Sequence, residues 1–302
     1  MSYIEIEGRK VGDGFPVYIV AELSANHNQK YEDSIKLIHA AKDAGADAVK
    51  IQTYTPDTIT IKSDRPEFKV SGGTLWDGRT LYELYSESYT PWEWQPKLKK
   101  VANELGLALF SSPFDKTAVD FLEAMNVPAY KIASFEIVDI PLIEYIAAKV
   151  KPMIISTGMA TLDEIKEAVN AAKKAGVSQI VLLKCNSAYP TPPEEMNLRT
   201  ITDLTEKFAI PVGLSDHTLG IIAPIVALSL GACMVEKHLT LSRAVRSPDS
   251  AFSLEPQEFK EMVEAIRLAE KELGEVGYDT GVEQAKSLKH RRSLFAVKDI
   301  KA

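Results

Sequence analysis

Val-Gly-Leu-Ser-Asp-His (212–217), an apolar helical segment from Leu219 to Leu230, and Met-Val-Glu-Lys-His (234–238) follow one another as strand, helix and strand. Each strand is short and apolar, and each ends in a polar cluster that contains a histidine. Successive strands of a parallel barrel lie side by side, with their C-terminal ends on one face. His217 and His238 are therefore expected to meet above the barrel, where two neutral imidazoles suit a divalent transition metal. Unrelated buried histidines satisfied by hydrogen bonds are commoner than ligand pairs. It is the placement at consecutive strand ends that favours ligation.

The same unit recurs along the chain as an apolar strand followed by an amphipathic helix. The predicted strand cores are Val17–Ala21, Ala48–Gln52, Ala108–Ser111, Ala129–Ile132, Met153–Ser156, Ile180–Lys184, Pro211–Leu214 and Met234–Lys237. Helices centre on Ser34–Ala44, Trp92–Leu105, Lys116–Met125, Ile140–Lys149, Leu162–Ala175, Arg199–Phe208 and Ile221–Leu230, and a last one covers Gln257–Leu273. Gly45, Gly106 and Gly176 stand where a left-handed C-cap belongs, and Thr161 with Glu164 has capping-box spacing. Eight such units over roughly 250 residues predict an α/β protein with a (β/α)8 TIM barrel as one catalytic domain, residues 1–280. The rival, a doubly wound open sheet, predicts a glycine-rich phosphate loop after the first strand. The sequence there is Ala-Glu-Leu-Ser-Ala-Asn-His (21–27).

Three segments fall outside the repeat. Tyr3 to Glu7 alternate and are punctuated by Gly8, Gly12 and Gly14, which predicts an N-terminal β-hairpin plugging the bottom of the barrel. About forty residues between Gln52 and Trp92 lack helical periodicity, far beyond the usual loop length. Trp76, Tyr82, Tyr85 and Tyr89 within them favour a substrate lid over a disordered excursion. From Gly281 the chain turns basic, and Ser293–Ile300 alternates like a strand with no partner inside a closed barrel. Residues 281–302 are expected to form a C-terminal linker to a further module; the alternative is a strand lying along the barrel wall.

Composition narrows the function. With 45% hydrophobic and 25% charged residues among 302, the chain is an ordinary globular protein able to bury one large core. A net charge of -7 argues against nucleic acid as a partner, so an anionic substrate needs a local basic pocket. No apolar run is long enough to span a bilayer, and the N-terminus lacks the pattern of a signal peptide, so no membrane partner is expected. Cys185 and Cys233 offer neither a disulfide framework nor zinc spacing, which suits a reducing cytoplasm. Both are read as small buried hydrophobes.

The strand ends carry Glu22, Lys50 and Gln52, Ser111 and Ser112, Lys131 and Ser134, Ser156 and Thr157, Ser187, Ser215 and His217, and Glu236 and His238. A full polar ring at the catalytic face of a barrel is hard to explain by packing. Alternation sorts it further: Ser215 and His217 share a face opposite Asp216, and Glu236 and His238 share a face that turns Lys237 toward the helices. Lys50 and Lys131 are expected as pocket cations, and Lys184 and Lys237 as structural. Lysines inside Ala-Val-Lys-Ile (48–51) and Ala-Tyr-Lys-Ile (129–132) need anionic partners, and among serines they suit a phosphate and a carboxylate. Barrel closure puts Glu22 near His238, where a carboxylate binds a substrate hydroxyl or acts as a base. Glu136 is a second acid–base candidate, although a lone Glu after a strand more often starts a helix. Asp249 is either a sugar clamp or an ordinary turn residue, and His27 either a loop cap or a substrate contact. His39 and His290 are assigned no function.

These residues resemble a known family. Ala-Glu-Leu-Ser-Ala-Asn-His (21–27), Lys-Ile-Gln-Thr-Tyr (50–54), Phe-Ser-Ser-Pro-Phe (110–114), Ala-Tyr-Lys-Ile-Ala-Ser-Phe-Glu (129–136), Ser-Thr-Gly-Met (156–159), Tyr-Pro-Thr-Pro (189–192), Gly-Leu-Ser-Asp-His (213–217) and Glu-Lys-His (236–238) are similar, in order, to the sialic acid synthase family. That family condenses phosphoenolpyruvate with an N-acetylated amino sugar to form a nonulosonic acid. Leu-Trp-Asp-Gly-Arg (75–79) and Ser-Pro-Asp-Ser-Ala-Phe-Ser-Leu (247–254), with Ala-Ser-Phe-Glu (133–136), most resemble its pseudaminic acid synthases, whose sugar is a 2,4-diacetamido-2,4,6-trideoxy hexose. The resemblance implies that His217 and His238 bind a divalent metal, Mn2+ or Mg2+ before others. It implies that Lys50, Ser112, Lys131, Ser134, Ser156, Ser187 and Ser215 bind phosphoenolpyruvate. Glu22, Tyr189 and Asp249 would hold the sugar, and Glu136 would be the acid–base residue, with Glu22 a further catalytic carboxylate. Ser187 and Ser112 stand where N-acetylneuraminate synthases carry Asn and Thr, a departure from sialic acid itself. The resemblance also implies a homodimer, and a 281–302 linker toward a C-terminal antifreeze-like (SAF) domain that this sequence does not contain. N-acetylneuraminate or legionaminic acid synthesis is the alternative within the family. A metal-dependent pyruvate aldolase and a non-catalytic sugar-phosphate sensor are the alternatives outside it.

Overall fold

A computed structural model of the chain describes residues 2–71 and 73–301. The hairpin comes first: β1 (Tyr3–Ile6) and β2 (Arg9–Gly12) pair antiparallel. Glu7 and Gly8 at its tip have φ of 48° and 79°, the left-handed pair that lets a two-residue turn follow the strand twist. Ile4, Ile6 and Val11 are buried in one cluster with Tyr18, Ala48, Phe110 and Met234 from the starts of the barrel strands. The hairpin thus closes the N-terminal end of the barrel, as its alternation predicts.

The barrel strands are β3 (Tyr18–Glu22), β4 (Ala48–Thr53), β5 (Ala108–Pro113), β6 (Tyr130–Ile132), β7 (Met153–Ser156), β8 (Ile180–Cys185), β9 (Val212–Asp216) and β10 (Met234–His238). They pair in parallel in chain order, and the ring closes where β10 meets β3, with His238 beside Glu22. Helices Tyr31–Asp43, Gln95–Glu104, Lys116–Ala124, Ile140–Ala147, Leu162–Lys174, Thr200–Phe208, Ile222–Ser229 and Pro256–Leu273 surround it. This is the expected (β/α)8 barrel. Outward-facing Ile19, Val49 and Leu109 pack with Leu37, Phe259 and Met262, and outward-facing Tyr130, Ile155, Leu182 and Leu214 pack with Ile143 and Ile165. The positions between them face the lumen, apolar below and ionisable at the top. Thr161 and Glu164 form the predicted capping box.

The stretch after β4 differs from expectation. It holds a short helix Pro56–Ile59, a 3-10 turn Pro66–Phe68 and a helix Leu81–Ser88. Thr80 caps that last helix and Glu83 bonds back to it. The Thr80–Glu83 spacing carried this signal, but eight residues are too few for a helical period to register. At the other end, Val282–Ala285 and Leu288–His290 form single turns, and no strand runs over residues 293–300. Leu294 and Phe295 are 100% and 81% exposed, so the barrel-wall strand does not form; a closed ring leaves it no edge to join. Among the described residues no helix is long and apolar enough to cross a membrane.

Candidate active site

The C-terminal ends of the strands gather a buried quartet of charges. Lys50 Nζ on β4 lies 2.7 Å from Glu22 Oε2 on β3 and 3.7 Å from Glu236 Oε1 on β10. Lys131 Nζ on β6 reaches the same Glu236 oxygen at 3.7 Å from across the lumen. Ser215 Oγ donates to it at 2.9 Å. Both lysines therefore have the anionic partners that their burial requires. Burial opposes the charge on Glu236, but Lys131, Lys50 and Ser215 together outweigh it and hold the carboxyl below its ordinary range. Burial likewise draws Lys131 down, against the pull of Glu236.

Hydroxyls fill the spaces between. Lys131 Nζ donates to Ser156 Oγ at 2.6 Å, and Lys50 Nζ approaches Ser112 Oγ at 3.5 Å. Ser134 Oγ accepts from Gly158 N at 3.1 Å, whereas Ser187 Oγ is buried without a partner. A Cβ added to Gly158 would stand 2.3 Å from Ser187 Oγ and 2.6 Å from Ser134 Oγ. Only a residue without a side chain leaves this cradle open. Glu136 sits just beyond β6, half-buried, with Oε2 lacking a hydrogen-bond partner. Burial lifts its carboxyl to about 7, although Lys131 and Lys50 pull the other way.

The two imidazoles meet as expected, with ring centroids 5.4 Å apart. His217 Nδ1 lies 2.8 Å from the Asn186 carbonyl, so that nitrogen carries the proton and Nε2 is left with its lone pair. This is the arrangement that orients a metal-ligating histidine. His238 Nδ1 is buried with no partner, and burial followed by the nearby His217 keeps the ring neutral. An unsatisfied neutral imidazole beside a second imidazole fits a divalent cation. Among the described residues no three His, Cys, Asp or Glu side chains group to hold a metal. Cys185 is buried as expected, but its sulfur lies 3.9 Å from His217 Nδ1, at the site rather than in the apolar core.

Other expectations sort themselves by contact. Glu22 Oε1 accepts from Gln52 Nε2 at 3.1 Å. The Tyr189 ring covers His217 at 4.2 Å. Asp249 accepts from Ser24 Oγ and, at 3.3 Å, from Ala25 N, tying the last loop to the first. Both nitrogens of His27 are engaged, with Thr90 Oγ1 and with Gln29 N, so it caps its loop. Lys184 bonds the Cys185 carbonyl, and Lys237 turns outward to Asp216, both structural as alternation predicts. Gly158 and Phe252 belong to the site without having been singled out, and Glu236 stands in the predicted polar ring with no role assigned to it. Glu236 was legible as a lumen-facing neighbour of His238, and Gly158 as the centre of Ser-Thr-Gly-Met (156–159).

A closed parallel barrel whose catalytic face holds buried lysines, a hydroxyl cradle and facing imidazoles defines an enzyme acting on a small anionic molecule. The chain belongs to the NeuB family, which it matches over residues 37–278. It is 49% identical to a pseudaminic acid synthase of Campylobacter jejuni over 94% of this chain and 83% of that protein. The pseudaminic acid synthase of Helicobacter pylori is 48% identical over 94% of this chain and 84% of its own length. Among solved structures, the N-acetylneuraminic acid (sialic acid) synthetase of Leptospira borgpetersenii superposes with a TM-score of 0.85 at 30% identity, covering 97% of this chain and 98% of that one.

Proposed function

We propose that the chain condenses phosphoenolpyruvate with a 2,4-diacetamido-2,4,6-trideoxy hexose, giving pseudaminic acid and phosphate, in the cytoplasm. The convergence of Lys50 and Lys131 with the serine hydroxyls, beside two facing imidazoles, carries this reading. Lys50, Lys131, Ser112, Ser134, Ser156, Ser187 and Ser215 hold the phosphate and carboxylate and stabilise the charge they carry. Glu22, Tyr189 and Asp249 orient the open-chain sugar. His217 and His238 would hold Mn2+ or Mg2+, which when bound supplies Lewis-acid polarisation of the sugar aldehyde. The C=C pair of phosphoenolpyruvate forms the bond from its methylene carbon to the aldehyde carbon, the aldehyde oxygen takes up a proton to become a hydroxyl, and the phosphate-bearing carbon is left electron-poor. Glu136 takes a proton from the water that adds at the adjacent carbon, and the C–O bond to phosphate is lost as inorganic phosphate leaves.

The test is phosphate release coupled to formation of the nine-carbon acid when the purified chain receives both substrates and Mn2+. Equimolar product and phosphate are expected, and chelation of the metal is expected to stop both. Formation of the acid from pyruvate instead would sink the reading in favour of an aldolase. Gly158→Ala is expected to raise the KM for phosphoenolpyruvate roughly tenfold or more, since about 1.4 kcal/mol of lost binding is a factor of ten. Its thermal midpoint should change little. An unaltered KM would remove Gly158 from the phosphate cradle.

A further inference from the structure

The insertion after β4 sends one side chain back over the barrel mouth. The Trp76 indole N–H donates to the Pro248 carbonyl at 2.9 Å, joining the insertion to the last loop. The turn that presents Trp76 is itself pinned, because Asp77 accepts from Gly73 N and Thr74 N. The indole ring lies 5.8 Å from Tyr189 and 6.5 Å from Phe252. Those rings in turn cover the imidazoles, Tyr189 on His217 at 4.2 Å and Phe252 on His238 at 5.0 Å. Two aromatic layers therefore lie outward of the imidazole pair, Tyr189 with Phe252 and then Trp76.

We propose that Trp76 is a specificity-determining residue, the outer wall of the sugar pocket that reads the deoxygenated end of the acceptor. The inference rests on the condensation proposed above. With the aldehyde carbon held at the imidazoles, the sugar chain runs outward past Tyr189 and Phe252 and brings C6 to the indole. The indole's one donor is already engaged with Pro248, so the ring offers C6 apolar area and nothing polar. A methyl group gains burial there, whereas a hydroxyl surrenders water without a new partner.

The experiment compares the 6-deoxy sugar with its 6-hydroxy counterpart in the wild-type chain, Trp76→Ala and Trp76→Phe. Wild type should favour the 6-deoxy sugar in kcat/KM by roughly 10- to 200-fold, the range a single apolar group supplies. Trp76→Ala should lose most of that preference while the KM for phosphoenolpyruvate stays within about twofold, because the phosphate cradle is untouched. Trp76→Phe keeps an apolar face and should keep the preference. Sugar binding should also change the tryptophan fluorescence of wild type, and that change should vanish in Trp76→Phe. Equal losses on both sugars in Trp76→Ala, or an unchanged preference with turnover intact, would overturn this inference alone. Absence of condensation by the wild-type chain would overturn the proposed function as well.

Discussion

Glu136→Gln is expected to lower kcat by roughly 10²- to 10⁴-fold, the range spanned by a positioned acid–base group. Gln keeps the shape and cannot take the proton of the attacking water. The wild-type carboxyl is lifted to about 7 by burial, so its basic form accumulates only as pH rises through that value. The rate should climb with an inflection near pH 7, and that limb should be missing from the residual activity of the variant. A companion measurement separates chemistry from folding. A carboxyl whose pKa is raised on folding binds its proton more tightly in the native state, so its stabilising effect is complete below the unfolded pKa. That contribution is lost between the ordinary carboxylate range and about 7. Glu136→Gln should flatten this dependence and be relatively more stable at pH 8 than at pH 5. A normal pH–rate profile in the variant would exclude Glu136 as the base.

Lys237→Met is expected to cost about 3–5 kcal/mol of stability, read as a lower urea midpoint, because it strands a buried carboxylate. Lys237 Nζ is 2.5 Å from Asp216 Oδ2 and 2.6 Å from the Thr218 carbonyl, and both charged side chains are fully buried outside the barrel. Asp216 lies between Ser215 and His217, and Lys237 between Glu236 and His238. The pair therefore fastens together the ends of the two strands that carry the imidazoles. Replacing both partners with Asp216→Leu and Lys237→Met removes the stranded charge and should recover most of the midpoint. Failure of the double variant to recover would show that the pair contributes more than charge neutralisation.

Much of this arrangement could be read from alternation alone. Period two placed Lys50, Glu236 and His238 inside and Asp216 and Lys237 outside, and the structure keeps each there. What alternation does not give is which inward residues meet across the lumen. Lys131 reaches Glu236 from a strand four places round the ring, a contact set by the stagger of the strands rather than by sequence neighbours. The Gly158 cradle and the Trp76–Pro248 contact are of the same kind, assembled from loops far apart in the chain. The insertion was opaque for a different reason. Its helix rests on a local cap, and its contacts with the barrel, Tyr85 on Tyr54 and Trp76 on Pro248, join residues far apart in the chain.

The hairpin that floors the barrel has a consequence for biosynthesis. A lone two-stranded ribbon is marginal in water, and Ile4, Ile6 and Val11 find their seat only against residues that include Met234 on the final strand. The ribbon precedes every barrel strand, so its seat is complete only once β10 has been made and the ring has shut. The ribbon is thus secured only when the barrel closes, and its docking is a natural reporter of that closure.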